Sequence, residues 1–118
     1  MDPRDTYQRR RDVQILDVRE PVEWAAGHIR GAVHIPMRQI PVRLDEVARD
    51  RPVVAVCRSG HRSGHVVEYL RGVGIAAENM PGGLQQWAEE GLPLETHNHM
   101  RPADKVTGNL RDRDDTYP

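Results

Sequence analysis

The chain has 118 residues, a formal net charge of -1 at pH 7, 37% hydrophobic and 30% charged residues. That supplies one modest core, is too little chain for two ordinary domains, and excludes an oily membrane-embedded protein. The near-neutral balance, with aromatics at 4% and no Phe, removes any global electrostatic reason to bind nucleic acid or an anionic membrane and leaves few stacking platforms for bases.

Residues 1–12 are charged and read as a short polar arm; they lack the apolar run of a signal peptide. No stretch reaches the roughly 20 apolar residues that a membrane helix needs, so a soluble, cytoplasmic protein is expected. A domain over residues 13–95 follows. Val13 to Val18 is an apolar, β-rich run and predicts a strand. Pro21 suits a first helical position before Val22 to Ala26, and Gly27 marks the stop. Ala32 to Ile35 predicts a second strand. A helical pattern starting near Met37 or Pro41 puts Ile40, Leu44, Val47 and Ala48 on one face. Val53 to Val56, apolar at every position, predicts a central strand. The strongest helix runs from Arg62 to Gly72, with Val66, Val67, Leu70 and Val73 on one stripe. Ile75 to Ala77 is a weak last strand. A short helix carrying Leu84, Trp87 and Ala88 ends at Gly91, ahead of Pro93. Residues 96–118 read as a polar extension, ordered only if it docks on the domain, with Met100, Val106 and Leu110 as the residues that could anchor it over the surface left open at the N-terminus. This alternation predicts an α/β single domain, with a mainly parallel central sheet flanked by helices on both faces.

Cys57 is the single cysteine. It has no partner for an intrachain disulfide, a zinc cluster or a CxxC redox pair, so it is either a buried filler or a nucleophile. Its neighbours, Arg58, Ser59, Gly60, His61, Arg62, Ser63 and Gly64, favour the nucleophile. A small-residue loop between a strand and a helix converges backbone N–H groups on one point, at the positive end of the helix dipole. A thiolate placed there is stabilised, and flanking arginines add to the effect. Arginine also grips planar or tetrahedral anions through its fork of donors, and of the 17 basic residues only Lys105 is a lysine. A cysteine serving as packing gains nothing from such company, and burying that set would be costly.

The order of motifs over Val13 to Leu94 resembles the rhodanese family of sulfurtransferases. Asp17-Val18-Arg19-Glu20 with Glu23-Trp24 is similar to the family's D-x-R-x-x-x-E-[FYW] opening. Gly27-His28-Ile29, Gly31-Ala32 and Ile35-Pro36 are similar to its G-H-I-x-G-A-x-x-I-P segment. Cys57 to Ser63 resembles its active loop, and Gly82-Gly83 with Trp87 its closing G-G-x-x-x-W. The resemblance implies a rhodanese-like fold in which Cys57 is catalytic. Its thiolate takes the outer sulfur of a donor such as thiosulfate, becomes a persulfide and gives the sulfur to cyanide or a thiol. It implies that Ser59, Gly60, His61 and Ser63 line the cradle while Arg58 and Arg62 attract the donor's sulfonate. Arg19 either faces the same mouth, oriented by Asp17, or forms a structural ion pair with it. No cofactor and no metal is implied. The partners are small-molecule sulfur donors and acceptors, or a protein persulfide donor or acceptor, with no nucleic acid or membrane.

From Cys57 to Arg62 the spacing is C-x4-R, one residue shorter than in cysteine phosphatases, and the smaller cradle suits sulfur better than phosphate. The alternatives are a persulfide carrier or regulatory module and, less favoured, a phosphatase or arsenate reductase. Among other residues, His61 and His65 read as rim and surface positions. His28 and His34 read as structural hydrogen-bonding groups, Trp24 and Trp87 as core, and His97 and His99 as a solvated pair. Gly82-Gly83 reads as a tight approach near the active face. Two departures from the family pattern stand out: the element before the first strand is expected to be short or missing, and the extension lies outside the pattern.

Overall fold

The computed structural model describes residues 1–96. Among these, β1 (Gln14–Asp17), β2 (Val33–His34), β3 (Val53–Val56) and β4 (Ala77–Asn79) form a four-stranded parallel sheet in the order β2-β1-β3-β4. The central pair is in register from Gln14 opposite Val53 to Asp17 opposite Val56. Both strands are buried along their whole length, as a parallel sheet covered on both faces requires.

Alternation sorts the side chains. Leu16, Val53 and Ala55 face a core layer completed by Ile35, Ile40, Val47, Val66, Val67 and Leu70. Three of these belong to the 12-residue helix α3 (His61–Gly72). Ile15, Val54 and Val56 face the other layer, with Met80, Leu84 and the fully buried Trp87. Leu84 and Trp87 come from α4 (Gly83–Glu89). The sheet therefore has helices on both faces, as the alternation predicts.

Several elements differ from expectation, each for a local reason. Residues 1–12 are more than an arm: Pro3–Gln8 form a helix, α1, N-capped by Asp2. Thr6 is fully buried, its Oγ1 donating to the Asp2 carbonyl at 2.8 Å, and Tyr7 meets Trp87 edge-on at 5.8 Å. With only Pro3 and Thr6 buried, such a helix has no apolar periodicity to read. The segment expected as one helix is two short 3-10 turns, Met37–Gln39 and Pro41–Glu46, because Pro41 lacks the N–H that would continue an α-helix. β4 begins where the predicted strand ends, with Ile75 packing into the core before it. Val73 caps α3 and is 37% exposed, off the buried stripe; Ala88 is exposed as well.

Pro21–Ala26 form α2, starting at Pro21 and capped by Gly27 as predicted, but none of its residues is buried. Trp24 is half-buried, stacked on His28 at 3.7 Å and on His34 at 4.7 Å. Both histidines make the expected structural bonds, His28 Nδ1 with the Trp24 carbonyl at 2.9 Å and His34 Nε2 with the Arg19 carbonyl at 2.8 Å. Residues 97–118, including His97, His99, Met100, Val106 and Leu110, lie outside the described residues.

Candidate active site

Parallel strands deliver their carboxyl ends to one edge, where open α/β sheets place ligand sites. Cys57 leaves β3 at that edge. Its carbonyl and that of Arg58 accept from the N–H groups of Leu84 and Gln85, each at 2.9 Å. The first turn of α4 thus pins the base of the loop. Gly83 makes this approach possible: a Cβ there would lie 2.4 Å from both carbonyl oxygens. This is the tight approach expected of the glycine pair.

The loop then curls back. Gly60 adopts φ +100°, the left-handed region open to glycine, and α3 starts at the next residue. Its N–H donates to Cys57 Sγ at 3.1 Å, and the Ser63 N–H does so at 3.4 Å. Ser63 Oγ lies 3.4 Å from the same sulfur. The side chain is 1% exposed. Burial pushes the thiol up, but hydrogen bonds from the Ser63 hydroxyl and from the N–H groups of Ser63, Gly60 and Ser59 outweigh it. The net direction is down from an ordinary cysteine. The result is an acidified sulfur at the floor of a ring of donors.

The flanking residues divide. Arg62, half-buried at the start of α3, reaches α2 and grips Glu23 with both ends of its fork, at 2.8 and 2.9 Å. That hydrogen bond holds Glu23 down at about 2, against the opposing effect of burial. In turn the Glu23 carboxylate, more than any other group, raises Arg62, and the nearby Cys57 charge adds to the effect. Arg58, Ser59 and His61 are exposed around the loop; His61 meets His65 edge-on at 5.0 Å. Asp17 and Arg19 do not join them. Arg19 Nη2 donates to Asp17 Oδ2 at 2.8 Å and to the Gly27 carbonyl at 2.7 Å, and both side chains are buried. Of the two readings open for this pair, the geometry is that of the structural ion pair, strapping the end of β1 to the end of α2.

Two contributors carry no sequence assignment. Glu23 lies within the opening motif, yet nothing in its spacing announces Arg62 as its partner, 39 residues away. Asn79, at the end of β4, accepts from Ser63 Oγ at 2.5 Å and donates through Nδ2 to the Gly60 carbonyl at 2.9 Å. A polar residue ending a weak strand gives no sign of this. Among the described residues no group of three His, Cys, Asp or Glu is placed to hold a metal ion, and no helix is long and apolar enough to cross a membrane.

Residues 2–90 match the rhodanese-like domain family. A sulfurtransferase of Allochromatium vinosum is 44% identical over 84 residues, covering 70% of this chain and 78% of that protein. The putative sulfurtransferase YtwF of Bacillus subtilis is 40% identical over 82 residues, covering 70% and 80%. The crystal structure of a rhodanese-related protein from Thermoplasma volcanium superposes with a TM-score of 0.78 at 33% identity, over 80% of this chain and 95% of that one. With the parallel sheet and the cysteine loop at its carboxyl edge, these likenesses show that the chain belongs to the rhodanese-like domain family.

Proposed function

We propose that the chain is a thiosulfate or persulfide sulfurtransferase working through a persulfide on Cys57. The observation that carries this reading is the convergence of Gly60, Ser63 and Ser59 donors on one acidified sulfur. The Cys57 thiolate attacks the outer sulfur of the donor. A new S–S bond forms on Sγ, the donor's S–S bond breaks, and its electron pair departs on sulfite. A thiolate or cyanide acceptor then attacks the outer sulfur, and the bonding pair returns to Cys57. Sulfur changes hands with no external oxidant or reductant. The ring of N–H groups stabilises the anionic sulfur at both ends of the cycle, as an oxyanion hole does for oxygen. Arg58, exposed beside the loop, attracts the anionic donor. No cofactor enters this scheme, and it belongs to a cytoplasmic, reducing setting.

Intact-mass spectrometry after incubation with thiosulfate tests the proposal. The mass is expected to rise by one sulfur atom, and Cys57→Ser to abolish the gain. Hydrolysis of a phosphate ester without that gain overturns it.

One observation favours a second reading, a carrier that receives persulfide from a protein donor. Arg62, which by resemblance would hold a sulfonate, has both ends of its fork on Glu23. Comparing thiosulfate:cyanide turnover with persulfide transfer from a protein donor separates the two.

A further inference from the structure

The Ser63 hydroxyl sits between two acceptors and owns one proton. Oγ is 2.5 Å from Asn79 Oδ1 and 3.4 Å from Cys57 Sγ. The orientation of the Asn79 amide is settled by its other contact, since the Gly60 carbonyl, 2.9 Å away, accepts only and must meet the NH2 group. Oδ1 therefore faces Ser63. A carbonyl oxygen carries no proton, so the proton in the 2.5 Å contact belongs to Ser63. While it lies there, Oγ turns only lone pairs toward sulfur. That arrangement suits a neutral S–H, which donates to Oγ, and gives a thiolate nothing.

We propose that Asn79 is a positioning residue for Cys57 that acts through Ser63: its side-chain oxygen holds the Ser63 proton while the thiol is neutral and yields it to sulfur when the thiolate forms. On ionisation the Cys57 proton leaves to water, the Ser63 O–H rotates from Oδ1 to Sγ, and Oδ1 loses its donor. The stabilisation that Ser63 offers the thiolate is thus reduced by what Asn79 gives up. The backbone donors, Gly60 and Ser63 N–H, are not shared in this way. The same Asn79 amide steadies the Gly60 carbonyl, so one side chain ties β4 to both ends of the loop's last turn. The inference rests on the reading that Cys57 works as a thiolate.

The charged and titratable groups on the elements around the loop are Arg58 in the loop itself, His61 and Arg62 on α3 and Arg62's partner Glu23 on α2; the buried Asp17–Arg19 pair at the end of β1 stands apart from them. Beside Asn79 lie Glu78 and the Met1 ammonium, paired at 2.6 Å. All of them act on Cys57 alike in every variant below. A double-mutant cycle therefore isolates the shared proton, and it also cancels any loosening of Gly60.

The Cys57 ionisation midpoint is read from thiolate absorbance against pH, confirmed by the pH profile of alkylation, in the wild type, Ser63→Ala, Asn79→Leu and the double variant. With the proton shared, Ser63→Ala raises the midpoint by less in the wild type than in the Asn79→Leu background. The expected difference is up to about one pH unit, the order of the neutral hydrogen bond that Asn79 gives up. Equal shifts in the two backgrounds overturn the proposal. Should Asn79→Leu fail to fold, Asn79→Ala closes the same cycle. Persulfide formation plays no part in this readout, so failure of the sulfurtransferase reading and failure of the Asn79 proposal remain distinguishable.

Discussion

The Arg62–Glu23 clip, bonded through both ends of the guanidinium fork, is the charged contact at the site most open to a pH test. Its two side chains are 31% and 27% exposed, so solvent screens it in part. Glu23 is held down from 4.5 to about 2 in the folded chain. A carboxylate depressed on folding stabilises fully above its unfolded pKa, and the benefit fades as pH falls toward the folded one. Glu23→Gln is therefore expected to cost about 1 kcal/mol at neutral pH, discounted for exposure. The gap to the wild type should close as pH drops from 4.5 toward 2, and urea titrations across that range measure it. A gap that stayed constant would mean the clip contributes by packing rather than charge. At this scale the cysteine and its small-residue loop were legible in the sequence, because their chemistry is written in consecutive residues. Glu23 and Asn79 were not. Their roles come from partners 39 and 16 residues away, and only the fold brings them together.

At the scale of elements, legibility followed burial. β3 was read at its true ends because every residue of Val53–Val56 is fully buried, leaving an uninterrupted apolar run. β4 was misplaced because its Glu78 and Asn79 are polar and only half-buried, as an edge strand permits. α1 was missed because a six-residue helix with two buried side chains has no stripe. Glycine provides a clean test of how the elements meet. Gly83, at φ +60°, places its missing Cβ 2.4 Å from the Cys57 and Arg58 carbonyl oxygens, so Gly83→Ala is expected to destabilise by at least about 2 kcal/mol and to weaken persulfide loading. Gly72, in the last turn of α3, has nothing within 4 Å of that position and no positive φ. Gly72→Ala is expected to stabilise by about 0.5–1 kcal/mol. Chemical unfolding of the pair measures both, and a similar loss in each would remove the close approach as the cause.

Across the whole molecule, the two core layers are covered unequally. The layer under α3 is closed by that helix and the 3-10 turns, whereas the opposite layer relies on α4 and on Met1 and Tyr7 of the N-terminal segment. Deleting residues 1–9 strips Tyr7 from the edge of Trp87 and exposes apolar surface worth about 1–2 kcal/mol. A fall in thermal midpoint of about 5 °C or more is expected for a domain of this size, with red-shifted tryptophan emission. An unchanged midpoint would show that α1 rests on the domain without supporting it.

The depth of the sulfur has a consequence for the company this protein keeps. A disulfide needs two sulfurs about 2.05 Å apart, with their α-carbons within roughly 7 Å. Cys57 is 1% exposed, its sulfur held by donors of its own loop, so two copies meet such limits only if both loops open. A slim donor presenting its sulfur as a projecting tip has no such obstacle. The chain's thiol is guarded from oxidative dimerisation by shape, while its ring of donors keeps it chemically ready.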